Sequence, residues 1–311
     1  MPIAIAAQRP QRAPTRSWSL AGLRLRRLSL PWLLLAPSLV LLTLFTYGPV
    51  GQVLLRSLQV KRFGQPMAWG VTNYTALLED ERFARALGNT AVYAAGTIVP
   101  RLVLALLFAL ALREAGLLSS LVRTLLVLPM MVPLVAAAAL FTFIFLPGAG
   151  LLDYYLAKLG FGATNWLGDP GLAMPSIIAI TIWKNTGYYM LFFLAGLAAV
   201  PEEQLDAARL EGANAWQRLR YVILPLLGPT IGFVAVIAAV NVLVQVDHVL
   251  VMTNGGPADS TNLLLSYIYQ TAQQNLDVGR ASAATAVSVA GLFALAGLSL
   301  RTLEQGMHYE S

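Results

Sequence analysis

The 311 residues contain no cysteine and only two histidines, His248 and His308. The first absence excludes disulfides, thiolate nucleophiles and cysteine-ligated zinc. The second leaves a histidine-based metal centre short of ligands, because the two residues lie far apart in the sequence. Charge is scarce as well. Asp, Glu, Lys and Arg make up 12% of the chain, where a soluble domain carries about 25%. Such a chain is not an ordinary soluble domain, and its long uncharged runs assign it to a bilayer. No GxxxxGK[ST] loop occurs, so ATP hydrolysis is not expected of this chain. No Ser-His-Asp set or carboxylate pair stands in a catalytic setting. The expectation is a non-enzyme with no metal and no cofactor of its own. No internal repeat is evident.

What the chain has is apolar length: 57% hydrophobic residues and a mean hydropathy of +0.67. Six runs are long enough to cross a hydrocarbon core about 30 Å thick, which takes roughly 20 residues. They are 28–55, 86–112 (interrupted by Arg101), 124–152, 171–200 (interrupted by Lys184), 221–246 and 281–300. Lipid offers no partners to backbone amides, so each run is expected to be helical. The isoelectric point near 9.7 could point to nucleic acid. The arginines instead flank apolar runs, which fits membrane orientation, and no nucleic-acid partner is expected. With the N-terminus inside, the inner segments hold twelve Lys and Arg and the outer segments seven. Six of the twelve, Arg9, Arg12, Arg16, Arg24, Arg26 and Arg27, precede the first span, where the rule acts most strongly. The prediction is an all-α polytopic membrane protein with six transmembrane helices and both termini cytoplasmic.

The organisation follows. Residues 1–27 form a basic cytoplasmic tail, expected to be disordered, whose arginines set topology and can touch anionic lipid. A signal peptide is the competing reading of this start. The basic part and the apolar run are both too long for one, and no clear small-x-small site ends the run. Residues 28–85 hold the first span and an outer loop ending in NYTALLEDERFARALGNT, which reads as a short amphipathic helix entering the second span. Residues 86–301 form the core, with a connector at 201–225, and 302–311 form a C-terminal tail. Within the core, 147–170 mixes Gly, Pro and aromatics and suits an interfacial segment with Tyr154, Tyr155 and Trp166 at headgroup level. Residues 252–279 open on the loop signal NGGP.

The connector DAARLEGANAWQRLRYVILP, 206–225, is the polar exception. Pro201 suits a first helical turn, and Glu202 and Glu203 then sit at the positive end of the helix dipole. Gly212 breaks the helix or permits a close contact. A second short helix runs through Trp216 and Leu219, and Leu224 leaves the α region because Pro225 follows. Ala208, Gly212 and Ala215, spaced by four and three, are expected to share one face almost without side-chain bulk. Composition alone would leave this segment an amphipathic connector resting on headgroups.

The segment resembles the coupling loop, the EAA motif, of ATP-binding-cassette importer permeases. Asp206-Ala207-Ala208, Gly212-Ala213, Leu219, Val222, Leu224-Pro225 and Pro229 fall in register with that pattern. Asp206 replaces the usual Glu, and Val222 replaces Ile. NYTALLEDERFARALGNT, IWKNTGYYMLFFLAGLAAVP and TNGGPADSTNLLLSYIYQTAQQNLDVGRASA resemble segments of the carbohydrate-uptake branch, which includes maltose and glycerol-3-phosphate systems. LPGAGLLDYYLAKLGF and SLRTLEQGMHY are most like the A subunit of glycerol-3-phosphate permeases. The resemblance implies a type I ABC importer permease fold in the bacterial inner membrane. It implies three kinds of partner besides lipid: a second homologous permease subunit, two ATP-binding-cassette ATPase subunits that bind the ATP and magnesium, and an extracytoplasmic substrate-binding protein. It assigns contact with the ATPase to Asp206, Ala207, Ala208, Gly212, Ala213, Trp216, Leu224 and Pro225.

Polar groups inside spans are costly unless they face a cavity or pair. Those in the fourth and fifth runs, Lys184, Asn185, Tyr188, Tyr189, Asn241, Gln245, Asp247 and His248, are candidates for the substrate path. Positions 241, 245 and 248 are expected to share a helical face. Amides and phenols suit hydroxyl-rich ligands, and interhelical hydrogen bonding is the competing role. Lys184 and Asp247 could instead form a structural ion pair. Arg101 could attract an anion such as phosphate or serve a structural role. Asn254, Gly255, Gly256 and Pro257 are candidates for binding-protein contact. The solute expected is a glycerol-3-phosphate-like polyol phosphate, a sugar or an oligosaccharide. An ion-coupled secondary carrier of a small polar solute is the alternative.

Overall fold

The computed structural model describes residues 32–60 and 68–306, with backbone alone for 295–296 and 298–306. The basic tail, the first residues of the first run, Lys61, Arg62 and His308 lie outside the described residues. The chain divides into two compact units, 1–52 and 53–311. Of the first unit, the described part is the beginning of one apolar helix, α1 (Trp32–Ser57). It contains a π-helical turn at Thr43–Tyr47.

The second unit begins with the end of α1 and a two-stranded antiparallel ribbon that the all-helical expectation omits. β1 (Gln59–Val60) pairs with β2 (Ala68–Trp69), Gln59 opposite Trp69 and Val60 opposite Ala68. A short helix α2 (Thr72–Leu78) follows. Asp80 then accepts the Arg82 amide at 2.9 Å and caps α3 (Glu81–Ala111), as a short polar residue should at that position. The entry helix read from NYTALLEDERFARALGNT is therefore present, in two pieces divided at Asp80.

Among the described residues, four helices have the length and apolar composition to cross a membrane: α1, α3, α7 (Pro170–Ala198) and the stretch Gly228–Met252. The third run differs from expectation. It forms α4 (Leu117–Met131) and α5 (Leu134–Ile144), which meet at 97°. Val132 is extended (φ −74°, ψ 130°) because Pro133 follows it. A short helix α6 (Leu151–Lys158) comes next. The fifth run is also divided: α10 (Gly228–Val244) stops at Gln245, and α11 (Asp247–Met252) restarts two residues later. Beyond it lie α12 (Leu264–Tyr269), a π-helical turn at Gln270–Gln274, and α13 (Val278–Gly306), which holds the sixth apolar run.

The core is built around α3 and α7, the most extensive helix pair. Glycine allows the approach: a Cβ on Gly187 of α7 would collide with the Leu126 backbone of α4, and one on Gly96 of α3 would meet Ile178 at 2.7 Å. Small residues at helix interfaces let backbones pack closely where lipid supplies no hydrophobic drive. Ala105 and Ala109 near the end of α3 pack with Phe193 and Leu197 near the end of α7. The two helices thus run in the same direction.

Candidate functional site

The connector between α7 and α10 is a helix–turn–helix. α8 (Glu202–Leu210) begins after Pro201 with Glu202 and Glu203 in its first turn. It ends in a Schellman turn: the Gly212 amide donates to the Arg209 carbonyl at 3.0 Å and the Ala213 amide to the Ala208 carbonyl at 2.9 Å. Gly212 sits at φ +82°, where a side chain is strained although its Cβ would meet open space. Asn214 then caps α9 (Ala215–Arg218) in a capping box with Gln217, each side chain accepting the other's amide. The sequence carried that signal, Asn-x-x-Gln, but it was not among the readings above.

Two expectations fail here. The small residues do not form one helical face, because α8 stops before Gly212 and α9 starts after it. Ala208 is buried in its own chain while Ala207 is exposed. Leu224 stays in the α region (φ −63°, ψ −42°). The Pro225 ring is accommodated by a π-helical turn at Leu219–Ile223, where the Leu224 amide reaches the Leu219 carbonyl five residues back. Ala215 to Leu226 is therefore almost continuously helical into α10.

The connector has two faces. Leu205 and Ile223 are buried in the cluster that holds Ala105, Ala109, Phe193, Leu197 and Leu227. Leu210 is 91% exposed, Trp216 68% and Tyr221 73%. Asp206 pairs with Arg209 at 2.7 Å, both side chains well exposed. Such a pair contributes little to stability. Ala213 and Leu224 are half-buried and Pro225 is exposed.

The proposed path residues separate into three local arrangements. The Lys184 ammonium, 6% exposed, donates to the carbonyls of Pro129 and Met130 at 3.2 and 3.3 Å and to that of Val132. It serves the carbonyls left open where α4 bends, and it forms no ion pair with Asp247, which is exposed. Tyr189 is fully buried; its hydroxyl accepts from the Asn241 amide at 2.9 Å, and the Arg101 guanidinium lies 4.5 Å from its ring centre. His248 Nε2 meets the Tyr93 hydroxyl at 2.9 Å and the Thr181 hydroxyl at 3.3 Å, joining α11 to α3 and α7. Asn241, Gln245 and His248 do not share a helical face, because the helix is interrupted at Gln245–Val246. Asn185 bonds back to the Thr181 carbonyl of its own helix at 3.1 Å, and Tyr188 stacks edge-on against Tyr189 and Phe192.

The NGGP segment belongs to a network at the opposite end of α3 from the connector. The Asn254 carbonyl accepts from Gln270 at 2.9 Å, and Gly255 is buried against Asn262 and Gln270. Thr261 donates to the Gly256 carbonyl at 2.6 Å. Asn89 of α3 donates to the carbonyls of Asp259 and Asn262 at 2.7 and 3.1 Å, and Arg82 holds the Asp259 carboxylate through both oxygens at 3.1 and 2.9 Å. The Arg82 bond keeps Asp259 below the usual carboxylate range. Asp80 accepts from Tyr267 at 2.7 Å and from Arg280 at 3.4 Å. Burial works against its ionisation, but the Tyr267 hydroxyl, backbone amides and Arg280 hold its carboxyl below the ordinary value. An open polar pocket of about 530 Å³ lies beside it, lined by Asp80, Arg82, Tyr267, Asp277 and Arg280 among others.

Asp153 of α6 was not singled out in the sequence. It accepts from the amides of Gly148 and Thr164 at 2.7 and 3.0 Å and from the Trp166 indole at 2.7 Å, and these donors lower its carboxyl pKa, the Gly148 amide most. Trp166 is thus fixed by its nitrogen to the segment it follows, whereas Tyr154 and Tyr155 are exposed. Arg123, read for its charge alone, binds the carbonyls of Leu112 and Glu114 after the end of α3.

Residues 101–309 match the family described as binding-protein-dependent transport system inner membrane component. The sn-glycerol-3-phosphate transport system permease protein UgpA of Agrobacterium fabrum is 32% identical over 283 residues, covering 90% of this chain and 96% of the relative. UgpA of Escherichia coli O157:H7 is 31% identical over 284 residues with the same coverage. A bacterial ABC transporter involved in import of the acidic polysaccharide alginate has a chain of the same fold. It aligns with a TM-score of 0.81 at 23% identity, over 92% of this chain and 98% of that one. A structure of the bacterial alginate transporter with an alginate pentasaccharide-bound periplasmic protein aligns with a TM-score of 0.78.

Proposed function

Because the chain belongs to the family of binding-protein-dependent transport system inner membrane components, we propose that it is the permease subunit of an ATP-driven importer carrying a carbohydrate-type solute, with a polyol phosphate such as glycerol-3-phosphate first. The chain is read as spanning the inner membrane six times, both termini cytoplasmic, with α4 and α5 as one bent span and α13 as the last. A second, homologous permease subunit completes the path. Two ATPase subunits bind ATP and magnesium and supply the energy, and a soluble binding protein delivers the solute outside. The permease itself catalyses no reaction.

The observation that carries this reading is the connector. Its exposed side offers Asp206, Ala207, Leu210, Gly212 and Trp216 to a partner. Its buried side inserts Leu205 and Ile223 among α3, α7 and α10. A push on the first side therefore reaches the spans through close-packed side chains, which transmit displacement instead of absorbing it. In this role the connector sits in a cleft of an ATPase subunit, and closure of the ATPase pair on ATP turns the permease from one face of the membrane to the other. The likeness to UgpA favours the phosphate ester, and the fold shared with the alginate importer fits the same class of machine.

Affinity purification tests the assignment. A tagged copy of this chain, produced together with the ATPase and second permease subunits of its importer, is expected to bring down the ATPase in stoichiometric yield. Replacement of 206–217 by a Gly-Ser linker of equal length is expected to lose it while keeping the second permease. Retention of the ATPase by the linker variant, or ATP-independent uptake by the chain alone, sinks the reading.

A further inference from the structure

Arg101 carries a charge that no acid among the described residues offsets. It follows Pro100 near the middle of α3 and is 1% exposed. Its partners are the Ala238 carbonyl of α10, 3.3 Å from Nη2, and the face of Tyr189. Its Nε is buried without a partner. A guanidinium has five N–H donors, so most of its capacity is unused. No carboxylate among the described residues is paired with it. The sequences of α7 and α10 contain no acid, and the nearest one on α3 is Glu81, about 30 Å away along the helix. Asp247 of α11 is exposed, and the five ion pairs among the described residues leave Arg101 out. Apart from Glu81, Arg82 and Arg85 at the start of α3 and Asp247, the other titratable side chains on α3, α7, α10, α11 and α12 are Tyr93, Lys184, Tyr188, Tyr189, His248, Tyr267 and Tyr269, none of them a carboxylate.

A buried cation is expensive unless something compensates it, and an intramembrane one marks a functional position by default. The Tyr189 ring stabilises it in part, and Asn241 holds that ring through the hydroxyl. Resting on the importer reading above, we infer that Arg101 is a specificity-determining residue for an anionic solute: a fixed positive charge that favours passage of a phosphate ester or carboxylate over a neutral solute. It is closed over by its own chain and acts through its field. In a medium of effective dielectric about 20, a unit charge some 8 Å away changes the occupancy of an anion on the order of tenfold or more. Tyr189 and Asn241 are positioning residues for the guanidinium.

The test is uptake of glycerol-3-phosphate by the complete importer in proteoliposomes at pH 5.5 and 7.5. The phosphate's second ionisation lies near pH 6, so the solute gains charge between the two conditions. Arg101→Gln is expected to lower uptake about tenfold at pH 7.5 and by a clearly smaller factor at pH 5.5, and Arg101→Lys to recover at least a third of the wild-type rate at both. An equal loss at both pH values assigns Arg101 to structure and overturns the inference, as does wild-type uptake by Arg101→Gln. Where Arg101→Gln fails to assemble, Arg101→Lys decides: an assembled Arg101→Lys importer that transports below a third of the wild-type rate at both pH values overturns the inference, because the charge is kept and the function is not. Absence of any glycerol-3-phosphate uptake by the wild-type importer removes the solute reading itself, and this inference with it.

Discussion

Lys184 and Gly187 lie one helical turn apart on α7 and both face α4, one as a donor and one as a gap. Lys184 serves three carbonyls at the bend between α4 and α5. Each buried carbonyl left without a donor costs about 1–3 kcal/mol. Lys184→Met is therefore expected to lower the melting temperature of the purified complex, with Lys184→Arg closer to wild type. Unchanged melting with lost uptake would return Lys184 to the substrate path. Gly187→Val forces a side chain into the Leu126 backbone, and overpacking of that kind costs about 1–3 kcal/mol or more. The expected result is a poor yield of folded chain by fluorescence-detected size exclusion. Asp80, Asp153 and Asp259 share a depressed carboxyl pKa. The sign follows directly: their contribution is present above the unfolded value of about 3.9 and is lost as pH falls through the lower folded values. Melting curves should hold between pH 5 and 7 and fall below about pH 4. Asp153→Asn, which keeps the shape but not the charge, should remove part of that acid sensitivity.

At the scale of elements, the connector's rigidity comes from its turn. A residue with a side chain at φ +82° costs about 1–2 kcal/mol, and loss of the Asn214 cap about 1 kcal/mol. Gly212→Ala with Asn214→Ala is expected to speed amide hydrogen exchange across 206–218 while exchange in α3 and α7 stays slow. Uniform change over the whole chain would show that the connector is not a separately stabilised element. The break at Gly212 was legible in the sequence because glycine marks a turn locally, whereas the Asn214–Gln217 cap was passed over although its Asn-x-x-Gln spacing is equally local. The third apolar run was only half legible. Pro129 and Pro133 flank a break in the sequence PMMVP, but hydropathy is uniform across it, so a reading by composition gives one straight span. The interruption at Gln245–Val246 has no proline or glycine to mark it. The separate partners of Asn241 and His248, on α7 and α3, accompany that break, and no local pattern reports them.

The molecule as a whole places two kinds of polarity at opposite ends of α3. The connector and its exposed Leu210, Trp216 and Tyr221 lie at one end. The Asp80, Arg82, Asp259, Tyr267 and Arg280 network lies at the other, where it ties the start of α3 to the segment before α13. Apolar length anticipated the long apolar helices α1, α3 and α7, and the resemblance of 206–229 to a coupling loop anticipated the family. Which span polar groups bond to one another was not legible, because Lys184, Arg101 and His248 find partners on helices distant in sequence. The central claim is that movement enters through 206–225 and reaches the spans. ATP-driven, binding-protein-dependent uptake by the reconstituted importer tests it, wild type against Gly212→Trp. A Cβ at that position meets open space within the chain, though at a strained φ of +82°, and it stands on the surface proposed above to meet the ATPase. The account predicts a loss of uptake of at least tenfold with the chain inserted and purified at normal yield. Wild-type uptake by Gly212→Trp would contradict it.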